Sequence, residues 1–174
     1  SLKASQAISS EIVLSELLKK IMLIVMENAG AQKGFLILET KGVFAIEARS
    51  TVDSNEVVIL ESTSVEKSNE LPLAIIQFVA RKGEHVLLAN AADDQMYGND
   101  VYIKDNKVKS ILCFPVMNQG KVSGILYLEN NLITNAFTPD RIELLTLISS
   151  QAAVSIDNAR LYANLEEKVE ERTA

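Results

Sequence analysis

The stretch from Ser110 to Asn131, SILCFPVMNQGKVSGILYLENN, constrains the fold more than any other part of the chain. Its first part, residues 111–117, is an apolar run without alternation, which is typical of a strand covered on both faces. The polar segment 118–121 contains a glycine that suits a tight turn, and residues 122–128 return as a β-branched and aromatic second strand. Because Pro115 cannot donate a backbone hydrogen bond, we expect a bulge or the end of regular pairing beside it.

The remaining segments predict strands in pairs, with helices before, between and after them. Further strands are expected at Phe35–Glu39, Val43–Arg49, Val57–Leu60 and His85–Leu88. Helices are expected from Ser15 as N-cap to a stop at Gly30, from Leu71–Pro72 to Gly83, and from Thr138–Pro139 onward. We expect Leu2–Ser10 to be weakly helical before a break near Ile12–Leu14, and loops at Glu61–Glu70 and, with short helical turns, Ala91–Lys107. This order favours an α+β fold with a largely antiparallel sheet.

Composition narrows the possible partners. Apolar residues make up 48% and charged residues 23% of the 174 residues, as in a globular domain with a sizeable core. A net charge of −6 argues against a nucleic-acid partner and against adsorption to anionic lipid. The sequence contains no membrane-length apolar run, and its single cysteine is compatible with a cytoplasmic setting.

Both ends of the sequence predict a piece of a longer chain. The first residue is serine, and the last residues, through Ala174, form a charged helical pattern without a stop signal. We therefore expect an N-terminal linker or helix over residues 1–13, one domain over 14–160, and the start of a coiled-coil linker over 161–174.

The closing helix carries two apolar stripes. One suits packing on the sheet and consists of Leu145, Ile148, Ala152, Ile156 and Ala159. The other has the a/d spacing of a two-stranded coiled coil and consists of Leu144, Leu147, Gln151, Val154, Asn158, Leu161 and Leu165. Like charges four residues apart in the tail disfavour an isolated helix, so we expect a partner helix or a following domain. A solvated terminal helix is the alternative.

The same residues resemble the GAF domain, a small-molecule-sensing module of signalling proteins. The resemblance rests on Gly83–Asp93, Ser110–Val116, Gly124–Glu129 and Phe137–Asp140, and it extends from about Leu14 to Leu165. It implies a central, largely antiparallel sheet of about six strands. It also implies that the N- and C-terminal helices cover one face and that short helices and loops cover the other.

The flanking segments resemble those of GAF domains in large bacterial, often cyanobacterial, multi-sensor histidine kinases. The similar stretches are Leu2–Ile8 and Arg160–Thr173. This likeness implies a cytoplasmic homodimer, joined through the N- and C-terminal helices, with a histidine kinase domain later in the same chain. It implies a regulatory two-component sensor rather than an enzyme, binding a small molecule or relaying a signal through its last helix. A ligand-free dimerisation or spacer module is the alternative.

Catalytic and covalent-cofactor chemistry is disfavoured. Cys113 lies in an apolar run with no neighbouring cationic residue to activate it, which favours a buried core thiol. Family members that attach bilins use a cysteine in a helix, usually followed by histidine, so no covalent bilin is expected. GAF-type methionine sulfoxide reductases need two thiols, so the single cysteine of this chain disfavours that activity. Cyclic-nucleotide binding accompanies an N-K and D-E pattern, but Asn130–Asn131 and Phe137–Ile142 lack its Lys and its acidic pair.

Metal binding is likewise not expected. The only histidine, His85, favours a strand edge or a surface position. Asp93, Asp94 and Asp100 could hold a cation, but carboxylates that cap turns are the favoured interpretation.

The resemblance places a ligand cavity between the sheet and residues 91–107. We expect aromatic side chains to line it, as apolar walls with phenolic hydroxyls: Tyr97, Tyr102, Phe114 and Tyr127. The alternative is that these rings fill the core and close the cavity.

Overall fold

A computed structural model describes residues 2–53 and 56–173. The helices are α1 (Leu2–Ala29), α2 (Leu73–Lys82), α3 (Val101–Asn106) and α4 (Pro139–Thr173). The strands are β1 (Lys33–Thr40), β2 (Val43–Thr51), β3 (Glu56–Ser64), β4 (Val86–Leu88), β5 (Ser110–Asn118) and β6 (Lys121–Asn130). Short 3-10 turns occur at Val65–Lys67 and Ala91–Asp93. Ser1 and Ala174, the outermost residues of the expected linker segments, lie outside the described residues.

The six strands form one sheet in the order β3-β2-β1-β6-β5-β4, and all the pairings are antiparallel. This arrangement confirms the predicted α+β fold. The hairpin of β5 and β6 lies inside the sheet, as its apolar sequence predicts. β4 begins opposite Cys113 and leaves Pro115 unpaired on that side, and the β5–β6 register shifts between Val116 and Met117, so irregular pairing does occur beside Pro115.

Each face of the sheet carries its own core. On the first face, α2, α3 and the loops around them pack against the sheet, and the core includes Ile75 of α2, Ile103 of α3 and Tyr127 of β6; we call this the α2/α3 face. On the second face, α1 and α4 pack against the sheet, and the core includes Leu18 of α1, Leu145 of α4 and Leu126 of β6; we call this the α1/α4 face. Two layers of helix on one sheet therefore create the separate surfaces on which function depends.

The first helix differs from the prediction. It is continuous from Leu2 to Ala29, so Ser15 lies inside the helix rather than at its N-cap, and no break occurs near residues 12–14. The segment contains neither glycine nor proline, and the β-branched pair Ile12–Val13 lowers helix propensity without interrupting the backbone hydrogen bonds. Gly30, at φ 73°, ends the helix as predicted.

The third strand also differs from the prediction. It runs to Ser64 and is followed by a 3-10 turn, so the segment expected to be a loop from Glu61 begins as strand. Pairing with β2 continues beyond a register shift, because Ala45 still lies opposite Ser64. Cross-strand hydrogen bonds therefore outweigh the low strand propensity of this polar sequence.

Candidate functional site

Three of the four predicted aromatic residues lie on the same face of the sheet. Tyr127 of β6 and Tyr102 of α3 are buried in the core of the α2/α3 face, and the half-buried Tyr97 packs against it. Phe114 lies on the α1/α4 face and stacks on His85, with ring centroids 5.7 Å apart. The expectation that Phe114 shares a cavity with the tyrosines is therefore corrected, because consecutive side chains of β5 point to opposite faces.

A buried carboxylate joins two of these tyrosines. Glu129 is fully buried near the end of β6, and its Oε1 accepts hydrogen bonds from the hydroxyls of Tyr102 and Tyr127, both at 2.7 Å. Its Oε2 accepts a hydrogen bond from the side-chain amide of Asn131 at 2.8 Å and lies 3.9 Å from Lys33 Nζ. We call these five residues the Glu129 network. Its hydrogen bonds link α3 to the sheet, since Tyr102 belongs to α3.

The electrostatics keep both phenols in their neutral form. Burial raises the pKa of Tyr102, and the neighbouring carboxylate of Glu129 raises it further. Burial likewise raises the pKa of Tyr127 well above its ordinary value, with Glu129 adding to the effect. Each hydroxyl therefore remains a donor, which a carboxylate in an apolar core requires.

Sequence reasoning missed Glu129. A glutamate is rarely fully buried, so its position at the end of a strand suggests solvent exposure. The available signal was its separation from Tyr127: residues two apart in a strand point to the same face, so a buried Tyr127 directs Glu129 to the same side.

The acidic residues around α3 serve as caps. Asp100 Oδ1 accepts hydrogen bonds from the backbone amides of Tyr102 and Ile103, at 2.9 and 3.3 Å. Asp94 accepts from the backbone amides of Met96 and Tyr97, at 3.0 and 2.9 Å. This confirms the capping interpretation for these two residues. No group of three or more potential metal ligands occurs within residues 2–53 and 56–173.

The cysteine and the histidine lie where the sequence predicts. Cys113 is fully buried on the α2/α3 face, and burial raises the pKa of its thiol far above the ordinary value. The thiol is therefore protonated at neutral pH, which disfavours nucleophilic chemistry. His85 is exposed just before β4.

Helix α4 leaves a long apolar stripe exposed. The exposed fractions are 64% for Leu147, 56% for Val154, 53% for Leu161 and 61% for Leu165. The other predicted coiled-coil positions, Leu144, Gln151 and Asn158, are exposed as well. We call these seven residues the α4 stripe. An apolar groove of about 310 Å³ between α1 and α4 adjoins it, lined partly by Leu17, Ile21, Ile24 and Ile148.

Polar contacts fasten α4 at both ends of the domain, to α1 at one end and to the sheet at the other. The helices run antiparallel, since Arg141 in the first turn of α4 reaches the carbonyl of Ala29 at the end of α1, at 3.5 Å. Arg160 donates a hydrogen bond to the carbonyl of Glu39 in β1, at 2.9 Å. The α4 side chains described after Arg160 are mostly exposed, so the last turns extend beyond the sheet. Neither long helix, over the part that the structure describes, is apolar enough to cross a membrane.

The end of β6 connects the two faces. Asn130 follows Glu129 directly, and its side-chain amide donates a hydrogen bond to the carbonyl of Gly30, at 2.8 Å. Gly30 is the residue that ends α1. Two consecutive residues therefore hold α3 on one face and the end of α1 on the other.

Comparison with known proteins gives one consistent family. The family model described as "GAF domain" matches residues 13–156. A hybrid signal transduction histidine kinase G from Dictyostelium discoideum is 40% identical over 109 residues, which are 62% of this chain and 3% of that protein. The peroxide stress-activated histidine kinase mak3 of Schizosaccharomyces pombe is 23% identical over 167 residues, which are 95% of this chain and 7% of that protein. The chain thus spans only a small part of these relatives.

The solved structures agree in fold. The GAF domain of a two-component sensor histidine kinase from Bacillus halodurans superposes with a TM-score of 0.62 at 17% identity, covering 84% of this chain and 95% of that one. At this identity the likeness concerns the fold alone. The two relatives above are eukaryotic, and the bacterial, cyanobacterial-type setting stays a prediction.

Proposed function

The chain belongs to the GAF domain family, and we propose that it acts as a regulatory module that relays a signal through α1 and α4 to a histidine kinase domain of the same protein. The relatives that are histidine kinases support a regulatory role in such a protein. The proposed setting is the cytoplasm, and the proposed assembly is a homodimer.

The observation that carries this proposal is the α4 stripe. Apolar side chains at a/d spacing stay more than half exposed along α4, as at Leu147, Leu161 and Leu165. A coiled-coil seam buries such side chains against the same residues of a second helix. Gln151 and Asn158 interrupt the seam with polar groups, and a single buried amide of this kind favours one register and two strands.

The α1–α4 groove extends the same surface. Leu17 and Ile24 of α1 lie beside Leu147 of α4 around it. A second copy placed there would cover the groove together with the seam, forming a bundle of four helices from two protomers. Both helices would then respond together to a change in the domain.

The proposed switch is a change in the packing of residues 91–107 on the sheet. Tyr102 holds α3 to Glu129, and Asn130 holds the end of α1, so a displacement of α3 would alter the junction at which α1 ends. The α4 pair would respond by shifting between two rotations or registers, which a downstream kinase would read.

Two versions of this module differ in the origin of the signal. In the sensor version, a small molecule occupies the space between the sheet and residues 91–107. In the relay version, no ligand binds, and the domain dimerises and passes on a signal generated upstream. The burial of Tyr102 and Tyr127, with both hydroxyls bonded to Glu129, favours the relay version, because side chains already fill that part of the core.

Sedimentation of the 174-residue chain and a double variant, Val154→Asp with Leu161→Asp, tests the assembly. We expect the chain to sediment as a dimer and the variant as a monomer, since buried unpaired carboxylates are costly. Leu132→Asp is the matched control, because Leu132 is also more than half exposed but lies in the loop after β6. A chain that is monomeric at all concentrations, or a variant that remains dimeric, contradicts the proposal.

A further inference from the structure

A cleft lies on the flank of α4 that faces away from α1. It has a volume of about 580 Å³, and it lies between α4 and the segment that leads from α2 into β4. Its lining includes Glu84, His85, Phe114, Met117, Thr146 and Ser149. This volume is in the range of small-molecule sites, and the mixture of aromatic and polar walls is typical of them.

Ser149 lines the cleft and carries an unsatisfied polar group, whose oxygen is shielded from solvent. The residue is only 5% exposed, and its hydroxyl has no hydrogen-bond partner among the described residues. Its neighbours differ, since the hydroxyl of Thr146 donates to the carbonyl of Ile142 at 2.8 Å and that of Ser150 to the carbonyl of Thr146 at 3.0 Å. A buried hydroxyl without a partner is destabilising, so a bound molecule that hydrogen-bonds to it gains affinity.

Two stacked rings form a flat wall of the cleft. The rings of His85 and Phe114 are nearly parallel, with an interplanar angle of 18° and centroids 5.7 Å apart. Phe114 is half-buried and packs against the α1/α4 core, while the imidazole is exposed to the cleft. A further aromatic ring can extend this stack by lying against the exposed face of the imidazole, and the contact with Phe114 holds the imidazole in a suitable orientation.

The charges around the cleft select among such molecules. Glu84 is the one carboxylate of the lining, which contains neither lysine nor arginine. An anion therefore finds no fixed positive charge there, whereas an N–H donor or a cation finds the carboxylate of Glu84.

We propose that this cleft binds a small aromatic or heteroaromatic molecule that carries N–H donors and no negative charge. The ring stacks against His85, and a donor meets the hydroxyl of Ser149 once a rotation about χ1 turns that hydroxyl from the interior toward the cleft. The site is distinct from the Glu129 network, which lies on the other face of the sheet. A molecule bound there acts on α4 directly, because Ser149 and Thr146 belong to that helix. It does not depend on the proposed dimer.

Titration of the ¹⁵N-labelled 174-residue chain with tryptamine tests the site, with indole-3-acetate as a probe of similar size and opposite charge. We expect tryptamine at millimolar concentrations to shift the amide signals of Gly83–His85 and Ser149–Ser150, and indole-3-acetate to shift them much less. Ser149→Ala is expected to weaken tryptamine binding by about three- to tenfold, the scale of one hydrogen bond. Ser155→Ala, on the flank of the same helix that faces the α1–α4 groove, serves as the matched control and is expected to bind as the unaltered chain does.

Thermal unfolding without ligand separates a binding role of Ser149 from a structural one. The melting temperature of Ser149→Ala should be unchanged or slightly higher, because the hydroxyl that is removed has no hydrogen-bond partner within residues 2–53 and 56–173. A lowered melting temperature would instead indicate a structural hydrogen bond. The proposal is overturned by that result, by an absence of tryptamine shifts, by equal shifts from both probes, or by equal tryptamine affinity in Ser149→Ala and the unaltered chain.

Discussion

The two faces of the sheet differ in what they leave exposed to solvent. The α2/α3 face encloses its polar groups, and the carboxylate of Glu129 is bonded by donors from α3 and from β6 itself. The α1/α4 face is well packed beneath its helices, yet it leaves the α4 stripe and the adjoining groove exposed. One face is complete within a single protomer. The other carries the surface that the proposed dimer would bury, and monomers rarely expose apolar surface of such length without a partner.

The largest expected effect concerns the enclosed face. Glu129→Leu leaves the hydroxyls of Tyr102 and Tyr127 buried without an acceptor, so we expect a loss of about 3–5 kcal/mol in the free energy of unfolding. Urea unfolding followed by circular dichroism measures this loss.

A triple variant controls for the size of the side chain at position 129. Adding Tyr102→Phe and Tyr127→Phe to Glu129→Leu removes the unpaired donors, so part of the lost stability should return. If the triple variant is no more stable than Glu129→Leu alone, the cost arises from packing rather than from the Glu129 network.

Alkaline pH gives the next effect. The pKa values of Tyr102 and Tyr127 in the folded chain are raised above the ordinary 10.0, so both phenols ionise more readily after unfolding. Their stabilising contribution is therefore complete below pH 10 and decreases as the pH rises above it, by up to about 1.4 kcal/mol per pH unit for each tyrosine. Unfolding experiments between neutral and alkaline pH measure the slope. A variant with both tyrosines changed to Phe should show a shallower slope, and an equal slope would contradict this assignment.

Loss of a single hydroxyl should have a smaller effect. Tyr102→Phe removes one donor to Glu129 and leaves those of Tyr127 and Asn131, so we expect a loss of about 1–2 kcal/mol. Hydrogen exchange should increase in α3, which loses its bond to the sheet. Tyr97→Phe is the matched control on the same face, with an expected change under about 0.5 kcal/mol, because Tyr97 is only half-buried. Equal effects of the two variants would show that the bond to Glu129 adds nothing.

The smallest change in protomer stability is expected on the open face. Leu161→Asp replaces an exposed side chain, so the dilute protomer should change by less than about 0.5 kcal/mol. The melting temperature of the unaltered chain should rise with protein concentration, because a dimer is stabilised by mass action, whereas that of the variant should stay constant. A melting temperature that is independent of concentration in both would remove the contrast between the two faces.

Much of the fold could be predicted because its signals are local. Gly30 and Gly83 end helices in the left-handed conformation, Pro139 begins α4, and the segment 118–121 forms the turn between β5 and β6. The residues of the α4 stripe could also be predicted, because heptad spacing is a property of the sequence alone.

The candidate site was harder to predict. The apolar run of β5 has no alternation, so the sequence does not reveal that Cys113 faces the tyrosines while Phe114 faces α4. The register of the sheet decides this, because Cys113 lies opposite Tyr127 and Phe114 lies opposite Leu126.

The sequence by itself determined the kind and order of the elements and the apolar stripe that α4 presents. Only the tertiary structure decided that Tyr102 meets Glu129 across 27 positions and that Phe114 belongs to the opposite face. It also decided that Ser149 lines a cleft without a hydrogen-bond partner in the described part of the chain. The physical reason is the range of the interactions. Turns, caps and periodicity depend on residues a few positions apart, whereas burial of a carboxylate depends on which distant donors the packed sheet and helices bring to it.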